Sequence, residues 1–369
     1  MADVRLVVVG AGVIGLAVAR EAAMRGIETI VLEAGTNIGS ETSSRNSEVI
    51  HGGIYYAAGS LKALHCLAGR KRLYRYAEER NIPFSRCGKL IVANSEGEDS
   101  VLRGLLDRSI KNGLTGDDAL RYLNAREVNR LEPNVHAVSA LLSPSTGIID
   151  SHSLMLAMQA DAEAAGADLV LRSRVDQLVP GAPHTLSGNN DGDEWQLTAD
   201  NVVVSAGLHS THLMQGNDWL RPLAPQVRMV KGNYFALSGK SPFRHLVYPV
   251  PVEKGLGIHA TLDLSGSTRF GPDTEDVVDI DYRVDERRQA VFESSIRRYW
   301  PDLPADRLLP AYAGIRPKVQ LAGAEADFLI QGPDELATAG LAFLHGIESP
   351  GLTASLSLAS SVCDRLSLT

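Results

Sequence analysis

Apolar positions along the chain fall into alternating strand-like and helix-like stretches. Leu6-Val7-Val8-Val9 is a short unbroken run, the pattern of a strand buried on both faces. Gly10-Ala11-Gly12-Val13-Ile14-Gly15 follows, opening a helix-like stretch, and a second run, Ile30-Val31-Leu32, closes on Glu33. Helices are predicted over 60–80, with Leu61, Leu64, Leu67 and Ala68 on one side, and over 99–112, with Leu102, Leu105, Leu106 and Ile110 as a stripe. Another is predicted over 153–166, behind Asp150-Ser151-His152 as its N-cap. Leu169-Val170-Leu171 and Arg174-Val175 read as extended, and Ser187 to Gly192 as a turn between strands. Val202-Val203-Val204 runs into Ser205-Ala206-Gly207 as a buried parallel strand that ends at a ligand would. Strands are expected at 229–237, 246–250, 257–261 and 268–271, a helix over 284–298, a strand at 341–344 and a last helix ending about 367.

The first glycines have separate physical tasks. Gly10 lets the chain turn off its strand, Gly12 leaves room for a pyrophosphate, and Gly15 lets the helix pack against the sheet. The new helix then offers free N–H donors and a partial positive charge. Glu33 lies where a carboxylate accepts from both ribose hydroxyls and repels a 2′-phosphate, which disfavours an NADP-type ligand. Strand, glycines, helix, strand and acid in order form a dinucleotide signature.

Composition narrows the rest. With 369 residues, 44% hydrophobic and 22% charged, the chain is long enough for two domains. A formal net charge of −8 argues against a nucleic-acid partner. Cys66, Cys87 and Cys363 have neither metal-ligand nor redox-motif spacing, so neither a metal site nor a disulfide framework is expected. No purely apolar stretch of about 18 residues occurs, so no membrane span is predicted. Arg5 and the apolar run after it imitate a signal peptide, but three glycines at phosphate-binding spacing suit a strand and helix better. The expected location is cytoplasmic, with peripheral membrane association left open.

Further motifs carry a resemblance. They are Asn46 to Tyr56 (N-S-E-V-I-H-G-G-I-Y-Y), Lys231-Gly232-Asn233-Tyr234, Tyr248-Pro249-Val250-Pro251, Gly257-Ile258-His259-Ala260-Thr261, Gly314-Ile315-Arg316-Pro317-Lys318 and Gly346 to Thr353. In this order, the chain resembles the FAD-dependent oxidoreductases of the D-amino-acid-oxidase type, most closely the L-2-hydroxyglutarate dehydrogenase/oxidase group. Glu48 stands where that group usually has glycine, and Arg45 where it often has histidine. The resemblance implies an α/β fold: a Rossmann-like FAD-binding domain with a discontinuous α+β substrate domain built on a mixed or antiparallel sheet. The expected boundaries are 1–80, 145–215 and 340–369 for FAD, and 81–144 and 216–339 for the substrate or cap domain. The implied cofactor contacts are Gly10, Gly12, Val13, Ile14, Gly15, Glu33 and Ala34, then Ser43, Ser44, Arg45, Asn46, His51, Gly52 and Gly53. Arg174 and Val175 would meet the adenine, Ala206 and Gly207 the diphosphate, and Gly314, Ile347, Glu348, Ser349, Pro350, Gly351, Leu352 and Thr353 the flavin side. No second nucleotide motif appears, so no separate NAD(P)H domain is expected.

Five residues are candidates for chemistry. Arg316, braced by Gly314-Ile315 and Pro317, is expected to hold a substrate carboxylate through two parallel hydrogen bonds. His51 and His259 are candidate bases, since neutral imidazole can take a hydroxyl proton as hydride leaves carbon. Arg316 is expected to keep the nearby histidine neutral. Tyr55 and Tyr248 are candidates for orienting the substrate. The leading reading is FAD-dependent oxidation of a small carboxylate-bearing 2-hydroxy acid, with hydride passing from Cα to flavin N5. Electrons would leave to oxygen, a quinone or a carrier protein. An amino-acid or amine oxidase on the same fold, and a flavin-binding module without turnover, are the alternatives.

Overall fold

The strand Val4–Val9 alternates its side chains between two cores, Leu6 and Val8 on one face, Val7 and Val9 on the other. That is why the run is apolar throughout. The computed structural model, which describes residues 2–190, 192–251, 257–320 and 326–369, makes this strand the centre of an eight-stranded sheet. Thr29–Leu32 and then Asp168–Val170 lie parallel on one side of it. On the other side lies the end of Asp193–Val204, followed by Leu341–His345, also parallel, and Leu329–Gln331, antiparallel at the edge. The first half of Asp193–Val204 pairs instead with His184–Asn190, which pairs with Arg174–Val179 in an antiparallel meander.

One face of this sheet is covered by the helices Val13–Met24, Ser151–Ala164, Leu61–Glu79 and Gly351–Arg365. Gly15 makes the close approach at the first helix necessary: a Cβ there would lie 1.9 Å from the Gly10 carbonyl oxygen.

A second, nine-stranded sheet takes the order Glu275–Val277, Val227–Leu237, Thr268–Phe270, Ala260–Leu262, Leu246–Pro249, Lys89–Ala93, Ser139–Ser143, Arg121–Asn124. Leu308–Val319 runs antiparallel to Val227–Leu237 from Val227↔Val319 to Leu237↔Leu308, placing Arg316 opposite Val230. The pairing of Leu246–Pro249 with Lys89–Ala93 is parallel, so the sheet is mixed, as expected. Aromatic residues Phe235, Phe270, Phe292, Tyr299 and Trp300 fill the core on its outer side. Between the two large sheets sits a small one, made of Val49–Ile50, Gly147–Ile149 and Phe84–Ser85.

Several local expectations need correction. The helix Leu61–Glu79 does not bury its leucine stripe: Leu64 is 55% exposed, whereas Ala63, Cys66, Gly69 and Arg70 are buried. The cause is close packing on Gly351–Arg365, where a Cβ at Gly69 would lie 2.3 Å from the Thr353 carbonyl. Ile110 of the predicted 99–112 stripe is likewise exposed, and that helix covers Glu96–Lys111. The third helix starts at Ser151, because Asp150 itself is the cap, its carboxylate accepting the Ser153 N–H at 2.9 Å. Ser187–Asn190 belongs to a strand rather than a turn, and Asp191 lies outside the described residues. Of 257–261 only Ala260 and Thr261 lie in a strand, Ala260–Leu262, and the helix expected over 284–298 covers Gln289–Arg297.

Candidate active site

Two cavities meet at the C-terminal end of the parallel strands, sharing Gly12, Thr42, Ser43, Ser205 and Gly207. The first, of about 690 Å³, runs past Gly10, Glu33, Ala34, Arg174, Val175 and Ala206. Gly12 is the N-cap of its helix and offers no side-chain acceptor; Ser43 Oγ takes the Val13 N–H at 3.0 Å. By helix geometry the next first-turn donors face out of the N-terminus. A Cβ at Gly12 would come within 3.0 Å of Ser43 Oγ and project into this passage. Glu33 reaches the cavity, but its two oxygens already accept the N–H groups of Ala11 and Gly35, each at 2.7 Å. The carboxylate therefore also fixes the glycine turn, a task additional to the expected ribose contact.

The second cavity, of about 420 Å³, lies between the Rossmann-like sheet and the mixed sheet. His51, Tyr55, Tyr248, His259 and Arg316 all line it, although they come from four separate segments of chain. Val13, Ile14, Arg45, Asn46, Gly314 and the segment Ile347 to Leu352 are in its wall as well. Gly314 permits the sheet to touch the 42–47 loop: a Cβ there would lie 2.0 Å from the Arg45 carbonyl. Gly15, Ser44, Gly52, Gly53 and Thr353 line neither cavity. Ser44 Oγ turns back to the Gly39 carbonyl, and Arg70 holds the Gly52 carbonyl at 3.0 Å. Thr353 Oγ1 accepts the His51 N–H at 3.0 Å and so anchors the histidine from behind.

The wall is strongly cationic. Among its described lining residues, Arg45, Lys62, Arg316 and Lys318 stand against a single carboxylate, Glu348. Lys62 Nζ lies 2.9 Å and Lys318 Nζ 3.5 Å from Glu348 Oε1, the first pair being buried. Burial is the main cause that lowers the Lys318 pKa, with Glu348 opposing it. Arg45 stacks over Tyr282 at 4.1 Å, and its buried Nε has no hydrogen-bond partner among the described residues. Sequence reasoning passed over Lys62; its only local signal was a cation at the start of a helix.

Arg316 departs from its expected geometry in one respect. Nε donates to the Val230 carbonyl at 3.4 Å and Nη2 to the Asp273 carbonyl at 2.9 Å. The Nε–Nη2 edge is thus occupied by the protein. The Nη1–Nη2 end remains for a carboxylate, because Nη2 carries a second hydrogen.

His51 is partly exposed, and its Nε2 lies 3.1 Å from Ser349 Oγ. Burial first, and then the charge of Lys89, push its pKa down to about 3. From the sequence, Arg316 is expected to keep this histidine neutral; burial carries most of that role, and the charge that adds to it is that of Lys89. His259 is buried against Tyr248.

A glycine-lined groove running into a cationic, imidazole-bearing cavity suits an enzyme that works with a bound dinucleotide. The chain belongs to the FAD-dependent oxidoreductase (DAO) family, whose model matches residues 5–365. It is 41% identical to a mitochondrial L-2-hydroxyglutarate dehydrogenase of Arabidopsis thaliana, over 97% of this chain and 82% of that one. Identity to the L-2-hydroxyglutarate dehydrogenase of Indibacter alkaliphilus is 27%, over 98% of both chains. L-α-glycerophosphate oxidase from Mycoplasma pneumoniae, solved with FAD bound, shares the fold with a TM-score of 0.88 at 24% identity, over 100% of this chain and 95% of that one. Glycine oxidase from Geobacillus kaustophilus shares it with a TM-score of 0.82 at 20% identity, over 100% and 95%.

The protein is accordingly an FAD-dependent enzyme, and the residues present fit that cofactor. The glycine turn and helix N-terminus suit the diphosphate. The Gly351–Arg365 helix opens beside the cavity with no side-chain cap, so its first donors can meet an electron-rich ring edge. No helix among the described residues is long and apolar enough to cross a membrane.

Proposed function

We propose that the protein oxidises a small 2-hydroxy dicarboxylate of the L-2-hydroxyglutarate type to the corresponding 2-oxo acid. The observation that carries this reading is the cationic excess, with two imidazoles, in one cavity beside the nucleotide groove. The name shared by the Arabidopsis and Indibacter relatives supports the same substrate class. When bound, FAD supplies the two-electron acceptor for the hydride released from Cα.

In this reading the Nη1–Nη2 end of Arg316 holds the carboxylate next to the reacting carbon. His51 accepts the hydroxyl proton, a role supported by its neutral state and its fixed backbone. His259 and Tyr248 form a flat wall that limits how the substrate lies, and Tyr55 completes the side near His51. Residues 1–80, 145–215 and 340–369 form the cofactor part, and 81–144 with 216–339 the substrate part. The exception is Leu329–Gln331, expected in the substrate part, which pairs with Leu341–His345 and belongs with the cofactor sheet. The small sheet joins the two, since Phe84–Ser85 pairs with Gly147–Ile149.

Anaerobic mixing with L-2-hydroxyglutarate tests the proposal: the flavin absorbance should bleach, and amino acids should leave it unchanged. Bleaching by an amino acid and not by any 2-hydroxy acid would overturn it. We assign the exit of electrons to oxygen, a quinone or a carrier protein, which oxygen uptake and dye-coupled assays separate. A cytoplasmic location is likewise proposed, to be checked by fractionation against the mitochondrial label of the Arabidopsis relative.

A further inference from the structure

Lys89 begins the strand Lys89–Ala93 and is 1% exposed. No carboxylate among the described residues faces it. Its ammonium instead lies 4.7 Å from the ring centroid of Tyr55 and 4.7 Å from that of Tyr248. Both rings are in the wall of the second cavity. Aromatic faces attract a cation without neutralising it. A buried charge left in that state is costly unless an opposite charge is brought near. An anion in the adjoining cavity would meet that need.

The groups around Lys89 leave its charge uncompensated. Tyr55 and His51 face it from the 51–56 loop, Cys66 from the helix Leu61–Glu79 and Tyr248 from the strand Leu246–Pro249. The other paired strand contributes Ser143 opposite, which carries no charge. Burial raises the two phenols and the Cys66 thiol above their ordinary ranges, so all three stay neutral. His51 is neutral as well.

We propose that Lys89 is a positioning residue that acts across Tyr55 and Tyr248 to make the His51 side of the cavity attract anions, favouring a dianionic 2-hydroxy acid over a monoanionic one. This rests on the hydroxy-acid reading above. Five strand-to-strand steps separate the strands of Arg316 and Lys89 in the mixed sheet, so the two cations act from different directions. They also differ in permanence. Burial lowers the Lys89 pKa to about 7, so its charge is lost as pH rises through that value, whereas a guanidinium stays charged. Anion affinity should fall over the same range.

The holoprotein can be titrated with 2-oxoglutarate, the expected product, from pH 6 to 9, following the flavin spectrum. Wild-type affinity should fall as pH rises through about 7, by at most tenfold per pH unit, the slope of one linked proton, and level off near the affinity of Lys89→Met. Lys89→Arg should bind tightly with no such fall, and Lys89→Met should bind roughly tenfold or more weakly at pH 6, also without the fall. A monocarboxylate such as lactate should respond less to either change. If wild type binds 2-oxoglutarate and is reduced by L-2-hydroxyglutarate, but the slope persists in Lys89→Arg or Lys89→Met keeps wild-type affinity, the role of Lys89 is overturned. If Lys89→Met cannot retain FAD, wild type against Lys89→Arg decides, because packing alone creates no pH slope. If wild type neither binds the product nor is reduced by the hydroxy acid, the hydroxy-acid reading fails first.

Discussion

The imidazole of His259 lies flat on the phenol of Tyr248, with centroids 3.5 Å apart and planes 8° from parallel. One face of His259 is therefore committed to packing, whereas His51 is held by its backbone and its ring lines the cavity with Nε2 3.1 Å from Ser349 Oγ. Rapid-mixing measurements of flavin reduction should separate the two. His51→Ala should slow reduction by about 10²- to 10⁴-fold, the usual cost of losing a proton-transfer group. His259→Ala should act mainly on substrate binding. Equal, near wild-type rates in both would remove histidine from the chemistry and favour an amine substrate, which can react as its free base.

The state of His51 sets a pH dependence. Its pKa is pushed down to about 3, first by burial and then by Lys89, so the proton-accepting form prevails at every pH well above that. The limiting rate of reduction at saturating substrate should therefore show no His51 ionisation between pH 5 and 8. A rate that rises through about 6.5, the ordinary histidine value, would mean a solvated imidazole is the base.

Arg316→Lys should keep the charge but cannot hold the Val230 and Asp273 carbonyls while also meeting a carboxylate with two donors. Substrate binding should weaken by about 1.5–3 kcal/mol, with FAD content unchanged. Should affinity survive, Lys318 is the next anchor to test. Arg228 is paired with Asp276 at 2.5 Å and Lys231 lies 4.0 Å from Asp281.

Gly12→Val should yield a folded but colourless protein, read as the ratio of flavin to protein absorbance after purification. The new side chain would crowd Ser43 Oγ and fill the diphosphate passage.

Glu348→Gln removes the only carboxylate among the cavity's described lining residues and leaves Lys62 buried without its ion-pair partner. Denaturant unfolding should register a loss of about 3–5 kcal/mol, the scale for breaking a buried pair from one side.

The nucleotide half of the site was legible because its signal is local. Gly10, Gly12 and Gly15 act within one strand–turn–helix unit, and Glu33 follows on the next strand. The Arg316, His51 and His259 segments were legible through motif resemblance, and they do converge on one cavity. The Lys62–Glu348 pair was not, since its members are 286 positions apart and nothing near either announces the other. Lys89 stood in view as a charge opening an apolar run, yet only the fold shows two tyrosine rings beside it. The face of Leu61–Glu79 was misread for a different reason. Close helix contact there selects glycine, alanine and cysteine over leucine, so hydrophobic weight points the wrong way.

The interleaving of the two sheets has a consequence for biosynthesis. The cofactor groove opens with residues 10–15, but its companion cavity is closed by Ile347 to Leu352, and the helix Gly351–Arg365 packs on both Val13–Met24 and Leu61–Glu79. A ribosome-bound chain halted before residue 340 would own the phosphate turn and most of the mixed sheet, yet lack the last wall. Loading with flavin thus becomes a late event in the life of the polypeptide, one that reports whether its far segment has arrived. Such stalled chains should emerge without colour, and the cell would see a partly made enzyme only as an unliganded one.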